Sequence, residues 1–141
     1  MSVEIARSHD GAAQNFLSGT QREALRSLYG FSVIWHEQHE YFVARDGSLI
    51  VGATAMKIAA SVAYIDALTV DRQHRRRGFG KALLCAAEEV ANYYNCHKVS
   101  IVVPARSPAK IFFERCGYRE EATLAQHAFK LDAAVLRKFL L

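Results

Sequence analysis

Three consecutive arginines, Arg75, Arg76 and Arg77, run directly into Gly78-Phe79-Gly80-Lys81. Guanidinium groups hold a fixed positive charge and match the geometry of phosphate oxygens. Gly78 and Gly80 let the backbone turn sharply and come close to a ligand. The segment lies between a run of β-formers ending at Val70 and an apolar-periodic run that begins near Lys81. A helix starting there presents unpaired N–H groups and the positive end of its dipole. Together these features suit a pyrophosphate. The spacing is neither G-x-G-x-x-G nor the G-K-[ST] of a P-loop, so neither a dinucleotide fold nor a P-loop fits.

Other chemistry-bearing residues are sparser. Cys85, Cys96 and Cys116 are odd in number and form no C-x-x-C pair. They read as reduced, partly buried thiols rather than a disulfide framework or zinc site. His36 and His39, near Trp35, lack a third ligand, so no metal is expected.

The whole chain fits that picture. Its 141 residues are 51% hydrophobic and 23% charged, which excludes overall disorder. The length suits a single domain over residues 1–141 with its own core. No apolar run approaches the roughly 18 residues of a membrane span. Residues 1–10 lack the apolar stretch of a leader, so the cytoplasm is the expected compartment and no membrane partner is expected. Eighteen basic against 14 acidic residues give a net charge of +4. Without Arg75, Arg76 and Arg77 the balance is 15 against 14. The excess is one concentrated turn, which favours a small polyanionic ligand over nucleic acid. The aromatic spacing of an RNA-binding sheet is also missing.

Periodicity supplies the elements that hold this turn. Residues from Gly11 to about Leu28 read as a helix. Tyr41 to Arg45 and Ser48 to Ile58 read as a hairpin around Asp46-Gly47. Ser61 to Val70 reads as a third strand. Lys81 to Tyr94 is a helix with Leu83, Ala86, Ala87, Val90, Tyr93 and Tyr94 on one face. His97 to Val103 is a strand stopped by Pro104. Ser107-Pro108 opens a short helix as N-cap and first residue, and Gly117 ends it. Tyr118 to Glu121 and Gln126 to Leu131 read as two final strands, with VLRKFLL packed on the surface. A strand, a helix and a further strand imply a parallel crossover in an otherwise antiparallel sheet.

The pattern Arg75-x-x-Gly78-x-Gly80 resembles the acetyl-CoA motif [RQ]-x-x-G-x-[GA] of the GNAT N-acetyltransferases. Upstream, residues 65–70, IDALTV, are similar to the strand that precedes this loop in that family. Downstream, Ala109-x-x-Phe112-Phe113-Glu114-x-Cys116-Gly117-Tyr118 resembles the signature A-x-x-F-Y-E-x-x-G-F. The resemblance runs from about Ala44 to Leu131. It implies an α/β (α+β) fold: a mixed, mostly antiparallel sheet with a splayed parallel pair, flanked by helices. It implies acetyl-CoA as co-substrate in the cleft between the splayed strands. Backbone groups of Leu68, Thr69 and Val70 would bond the pantetheine arm. Those of Arg75, Arg76, Arg77, Gly78, Phe79, Gly80 and Lys81 would hold the pyrophosphate. Ala109, Phe112 and Phe113 would line the thioester end. The first helix and the segment around Phe31 to Glu40 would form the acceptor side. The family is often dimeric, so a homodimer is among the expected assemblies.

The implied reaction moves an acetyl group to an amine of a small molecule or peptide in a ternary complex. The ammonium must first lose a proton, directly or through water. Asp66 is the candidate base, because alternation puts Asp66, Leu68 and Val70 on one face. A backbone N–H on the strand ending at Val70 would stabilise the oxyanion. The general acid is open. Phe113 stands where the family often has tyrosine, and Arg106 or Ser107 where it often has asparagine. Tyr118, Cys116 or His127 could donate instead, or the thiolate could leave unassisted. Cys116 could alternatively carry the acyl group, although no His/Asp pattern activates it. A second reading of the chain is a catalytically weak acyl-CoA-binding regulatory protein.

Overall fold

The computed structural model describes residues 2–33 and 36–140, and the chain divides after residue 35 into two units. In the first unit, helix α1 spans Ala12–Tyr29. The Asp10 carboxylate accepts from the Ala12 N–H at 3.0 Å and from the Ser8 hydroxyl at 3.0 Å. These bonds, the Ala12 N–H first, hold the Asp10 carboxyl below its ordinary value of 3.8. At the other end the Gly30 N–H donates to the Arg26 carbonyl at 2.8 Å.

The second unit carries a six-stranded mixed sheet in the order β1-β2-β3-β4-β6-β5. The strands are β1 (Gln38–Asp46), β2 (Leu49–Ala59), β3 (Val62–Val70), β4 (Lys98–Pro104), β5 (Arg119–Leu124) and β6 (Ala133–Phe139). Helix α2 (Phe79–Tyr93) crosses from β3 to β4 and lies over β1, β2 and β3. Helix α3 (Pro108–Arg115) lies over β4 and β6. Met56, Ile65, Leu84, Val99, Phe113 and Leu136 are buried in the core between sheet and helices. Ala87 and Ala91, also buried, let α2 approach the sheet closely. This is the mixed α/β fold expected, with the β1–β2 hairpin turning at Gly47 as read. Ser107 caps α3 through its hydroxyl, which accepts from the Lys110 N–H at 3.3 Å, and Pro108 opens the helix.

β3 and β4 are parallel, and they pair only at Val62–Lys98, Ala63–Val99 and Tyr64–Ser100. Beyond Tyr64 the strands part, so residues 65–70 of β3 have no ladder partner on that side. On the other side β3 stays paired to β2 as far as Val70, with a β-bulge. Ala55 opposes Ala67 and Met56 opposes Ile65, which leaves Asp66 as the extra residue.

The bulge corrects the expected placement of Asp66. Ala63 and Ile65 are buried and Leu68 and Val70 half-buried, so the inward face is 63, 65, 68, 70. The extra residue resets the two-residue alternation, and Asp66 shares the outward face with Tyr64 rather than that of Leu68 and Val70.

Two further expectations are corrected. The buried stripe of α2 is Leu83, Leu84, Ala87 and Ala91. Tyr93 is 76% and Tyr94 44% exposed, and their rings meet edge to face at 5.0 Å. The helix ends at Tyr93, and Asn95 at φ 62 turns the chain away before either ring reaches the sheet. The last strand is not Gln126 to Leu131. That stretch folds into a tight loop with a single 3-10 turn over Ala128–Lys130, and Gln126, Phe129 and Lys130 have positive φ. Asp132 closes the loop by accepting from the Gln126 N–H at 3.0 Å. The strand is Ala133–Phe139, inserted between β4 and β5. Its charged residues are accommodated by Lys138 bonding Glu88 at 3.2 Å and Arg137 lying over the Phe139 ring at 4.5 Å.

Candidate functional site

The parting of β3 and β4 opens a cleft of about 570 Å³, a size that suits a small-molecule ligand. Its floor is Leu68, Thr69 and Val70, and one wall is formed by Ala109, Phe112 and Phe113 of α3. Arg75, Arg76 and Gly78 of the loop and Phe79, Gly80 and Lys81 of α2 close one end. Twelve of the thirteen residues singled out as cofactor-binding therefore lie on one cavity. His74 and Pro108 line it too and were not anticipated.

Each part of the basic end has a local cause. Gly78 sits at φ 85, a left-handed conformation that turns the chain into α2. Gly80 contributes differently, by close approach: a Cβ there would lie 3.3 Å from the Phe112 ring, which would have to shift to admit it. The Ala82 N–H is the first to close the helical ladder, on the Gly78 carbonyl at 3.0 Å. The N–H groups of Phe79, Gly80 and Lys81 therefore have no helical acceptor. No acidic residue lies in that first turn to compete for them.

The arginines divide their labour. The Arg75 guanidinium donates through Nε to the Val70 carbonyl at 3.1 Å, at the end of the floor strand. Arg76 lies at φ 63, a left-handed residue other than glycine in the middle of the loop. Such strain gathers at functional segments. Arg77 is the one residue of the thirteen that leaves the cleft. Its guanidinium bonds Asp46 at 3.1 Å and lies over the Phe79 ring at 5.3 Å. His74 braces the loop from below: Nδ1 lies 2.9 Å from Asp71 and Nε2 3.7 Å from Asp46. His74 is recognisable afterwards as a ring between two carboxylates, but only Asp71 is near it in sequence.

The structure does not bring Tyr118 to the cleft. Its ring is 2% exposed and packs edge to face behind Phe113 at 5.3 Å. Its hydroxyl donates to Glu88 at 2.8 Å, and the other Glu88 oxygen accepts from Lys138. Burial, and then the Glu88 charge, push the phenol far above the ordinary tyrosine range. A phenol that already donates to a carboxylate, away from the cleft, is not placed as a proton donor to it. Removing its hydroxyl, Tyr118→Phe, is expected to lower stability by about 1–3 kcal/mol while leaving turnover per folded molecule unchanged. A denaturant titration alongside an activity assay checks both. The folded phenol stays neutral above the pH near 10 at which the unfolded one ionises. That contribution to stability is therefore complete below pH of about 10 and declines above it.

Cys116 is half-buried, and its thiol is raised by burial and by Glu88, the reverse of an activated nucleophile. His127 is exposed in the β5–β6 loop and does not line the cleft. Asp66 is exposed at the bulge. His36 and His39 are exposed, and Trp35 lies outside the described residues. Among the described residues no three His, Cys, Asp or Glu side chains gather as metal ligands. No helix among them is long and apolar enough to cross a membrane.

The fold recurs among solved structures. An acetyltransferase from Bacillus cereus ATCC 14579 superposes with a TM-score of 0.75 at 18% identity, over 98% of each chain. PaiA N-acetyltransferase from Thermoplasma acidophilum, in complex with coenzyme A, gives 0.65 at 17% identity over 90% of this chain and 79% of that one. A candidate streptothricin acetyltransferase from Bacillus anthracis str. Ames, in complex with acetyl coenzyme A, gives 0.68 at 22% identity over 72% and 62%. No curated protein matches the sequence. The sequence profile of the acetyltransferase (GNAT) family does match it, over residues 9–118. Spanning most of the chain, that match includes the floor strand, the arginine loop and the α3 wall, and the protein belongs to the GNAT acetyltransferase family.

Proposed function

We propose that the protein transfers the acetyl group of acetyl-CoA to an amine of a small molecule or peptide, by direct attack in a ternary complex. The observation that carries this reading is the split after Tyr64–Ser100. It leaves the β3 edge open between a basic, N–H-rich end and an apolar wall.

The pyrophosphate sits on Arg75, Arg76 and the free N–H groups of Phe79, Gly80 and Lys81. The pantetheine arm runs antiparallel to β3, and its amides take the place of a neighbouring strand along Leu68, Thr69 and Val70. From Val70 to Asp66 that edge measures about 13 Å, so the thioester comes to rest near the bulge. There the Leu68 N–H faces the carbonyl oxygen. Asp66 is exposed on the face of β3 opposite Leu68 and Val70. The cofactor enters from the helix side, and the amine arrives from the other, where Asp66 lies.

The amine nitrogen attacks the carbonyl carbon, and the oxyanion forms against the Leu68 N–H. Asp66 takes the ammonium proton through water before this attack, and the second proton on nitrogen passes to solvent as the intermediate collapses. The carbon–sulfur bond then breaks and the coenzyme leaves as thiolate, which a thiol does without a tyrosine donor. Phe113 is consistent with this route, since its buried ring supplies the apolar wall and no proton.

Coenzyme A release, followed with a panel of small amines and peptides, tests the reading. Turnover on at least one of them is expected. Tight acetyl-CoA binding without turnover on any would favour the acyl-CoA-binding regulator. A finer check separates the arginines. Arg77→Ala is expected to change coenzyme A affinity less than twofold, because Arg77 is engaged by Asp46. Arg75→Ala should weaken it roughly tenfold, the loss of one charge-assisted contact. Calorimetric titration of both variants measures the contrast.

A further inference from the structure

Thr54 is one of two polar side chains buried among the described residues, at 2% exposure, and it belongs to no part of the cleft lining. It stands on β2 opposite Leu68, beside the register shift. Its hydroxyl donates to the Ala67 carbonyl at 2.7 Å. This carbonyl belongs to Ala55–Ala67, the last regular pair before the bulge interrupts the ladder, so the hydroxyl anchors the peptide where the pairing on one side ends.

The consequence follows from peptide geometry. A trans peptide is planar, and its C=O and N–H point to opposite sides. The carbonyl of the Ala67–Leu68 peptide is held toward β2 by Thr54. The N–H of the same peptide, that of Leu68, must therefore point away from β2, into the edge that β4 has left. The Val70–Asp71 peptide, three peptides on, obeys the same geometry in the opposite sense. The Asp71 N–H bonds β2 at the Val51 carbonyl (2.7 Å), while the Val70 carbonyl faces the cleft and takes Arg75.

We propose that Thr54 is a positioning residue, whose hydroxyl aims the Leu68 N–H at the thioester carbonyl by anchoring the other end of that peptide. The inference rests on the acetyl-CoA reading above and adds a residue from the neighbouring strand to it. Thr54 touches no substrate. It fixes a donor that must already point the right way when the oxyanion forms, because such donors act through preorganisation. Valine matches threonine in shape and lacks the hydroxyl, so it isolates this bond. Serine keeps the hydroxyl.

Isotope-edited infrared spectroscopy of acetyl-CoA labelled at the acetyl carbonyl reads the contact without needing an acceptor amine. In the wild-type protein the bound carbonyl stretch should fall below that of free acetyl-CoA. In Thr54→Val it should return toward the free value, and in Thr54→Ser it should stay low. Affinity for coenzyme A itself, which has no acyl carbonyl, should change less than twofold in both. With an acceptor in hand, Thr54→Val should lower kcat roughly tenfold or more at an unchanged KM for acetyl-CoA, and serine should rescue it. Thr54→Ala gives a second hydroxyl-free variant should valine disturb folding.

The outcomes are distinguishable. A wild-type protein that binds no acetyl-CoA overturns the underlying reading and this inference with it. A hydroxyl-free variant that binds acetyl-CoA with the wild-type carbonyl stretch overturns the role of Thr54 alone. A serine variant that loses the low stretch does the same.

Discussion

Replacing Gly78 with valine is expected to reduce coenzyme A affinity roughly 100-fold, about the loss of two charge-assisted hydrogen bonds. Gly78 lies at φ 85, and no atom lies within 4 Å of where a Cβ would stand. The side chain itself therefore meets open space. The damage comes through the backbone, because a β-branched residue strongly disfavours that conformation. Relieving the strain re-aims the peptides leading into α2, whose N–H groups are proposed to hold the phosphates. Gly78→Ala, with a milder preference, should lose less. The protein should remain folded, since Gly78 lies in an exposed loop outside the core. Calorimetry with coenzyme A measures the affinities, and thermal unfolding confirms the fold. A valine variant that binds as tightly as wild type would remove this loop from the phosphate site.

The second large effect is expected at Asp66. Asp66→Asn should lower turnover tenfold or more, within the range of general base catalysis, while coenzyme A affinity stays the same. The split between the two quantities is the point. Asp66 lies on the outward face of β3, whereas the proposed pyrophosphate end is lined by residues of α2 and the loop before it, so the substitution should leave cofactor contacts untouched. Asparagine keeps the size and loses the proton acceptor. A variant with wild-type rate and pH profile would mean that solvent alone deprotonates the amine.

These expectations show which parts of the molecule local sequence announces. Gly78, Gly80 and the arginines are legible because turn, close approach and charge are properties of neighbouring residues. Ser107-Pro108 is legible for the same reason, as a cap completes its bond three residues on. The bulge at Asp66 is not. Alternation assumes an unbroken two-residue period, and the interruption lies in the pairing with β2, a strand whose Thr54, 13 residues from Ala67, bonds the Ala67 carbonyl. Tyr118 stands at the phenylalanine of the downstream signature, and Glu88, 30 residues earlier, takes the hydroxyl that a phenylalanine lacks. Strand β6 was hidden by Arg137 and Lys138, whose charges are met by partners that only the folded chain supplies. His74 is not legible as the brace of the loop, because Asp46 is distant in sequence. Long-range partners account for every one of these differences.

One measurement bears most directly on the central claim that the split between β3 and β4 holds a coenzyme. It is calorimetric titration of the protein with acetyl-CoA, in parallel with a duplex oligonucleotide at the same ionic strength. The account predicts saturable binding of one acetyl-CoA per chain and no comparable uptake of the oligonucleotide. Strong, salt-sensitive oligonucleotide binding with no binding of acetyl-CoA would contradict it.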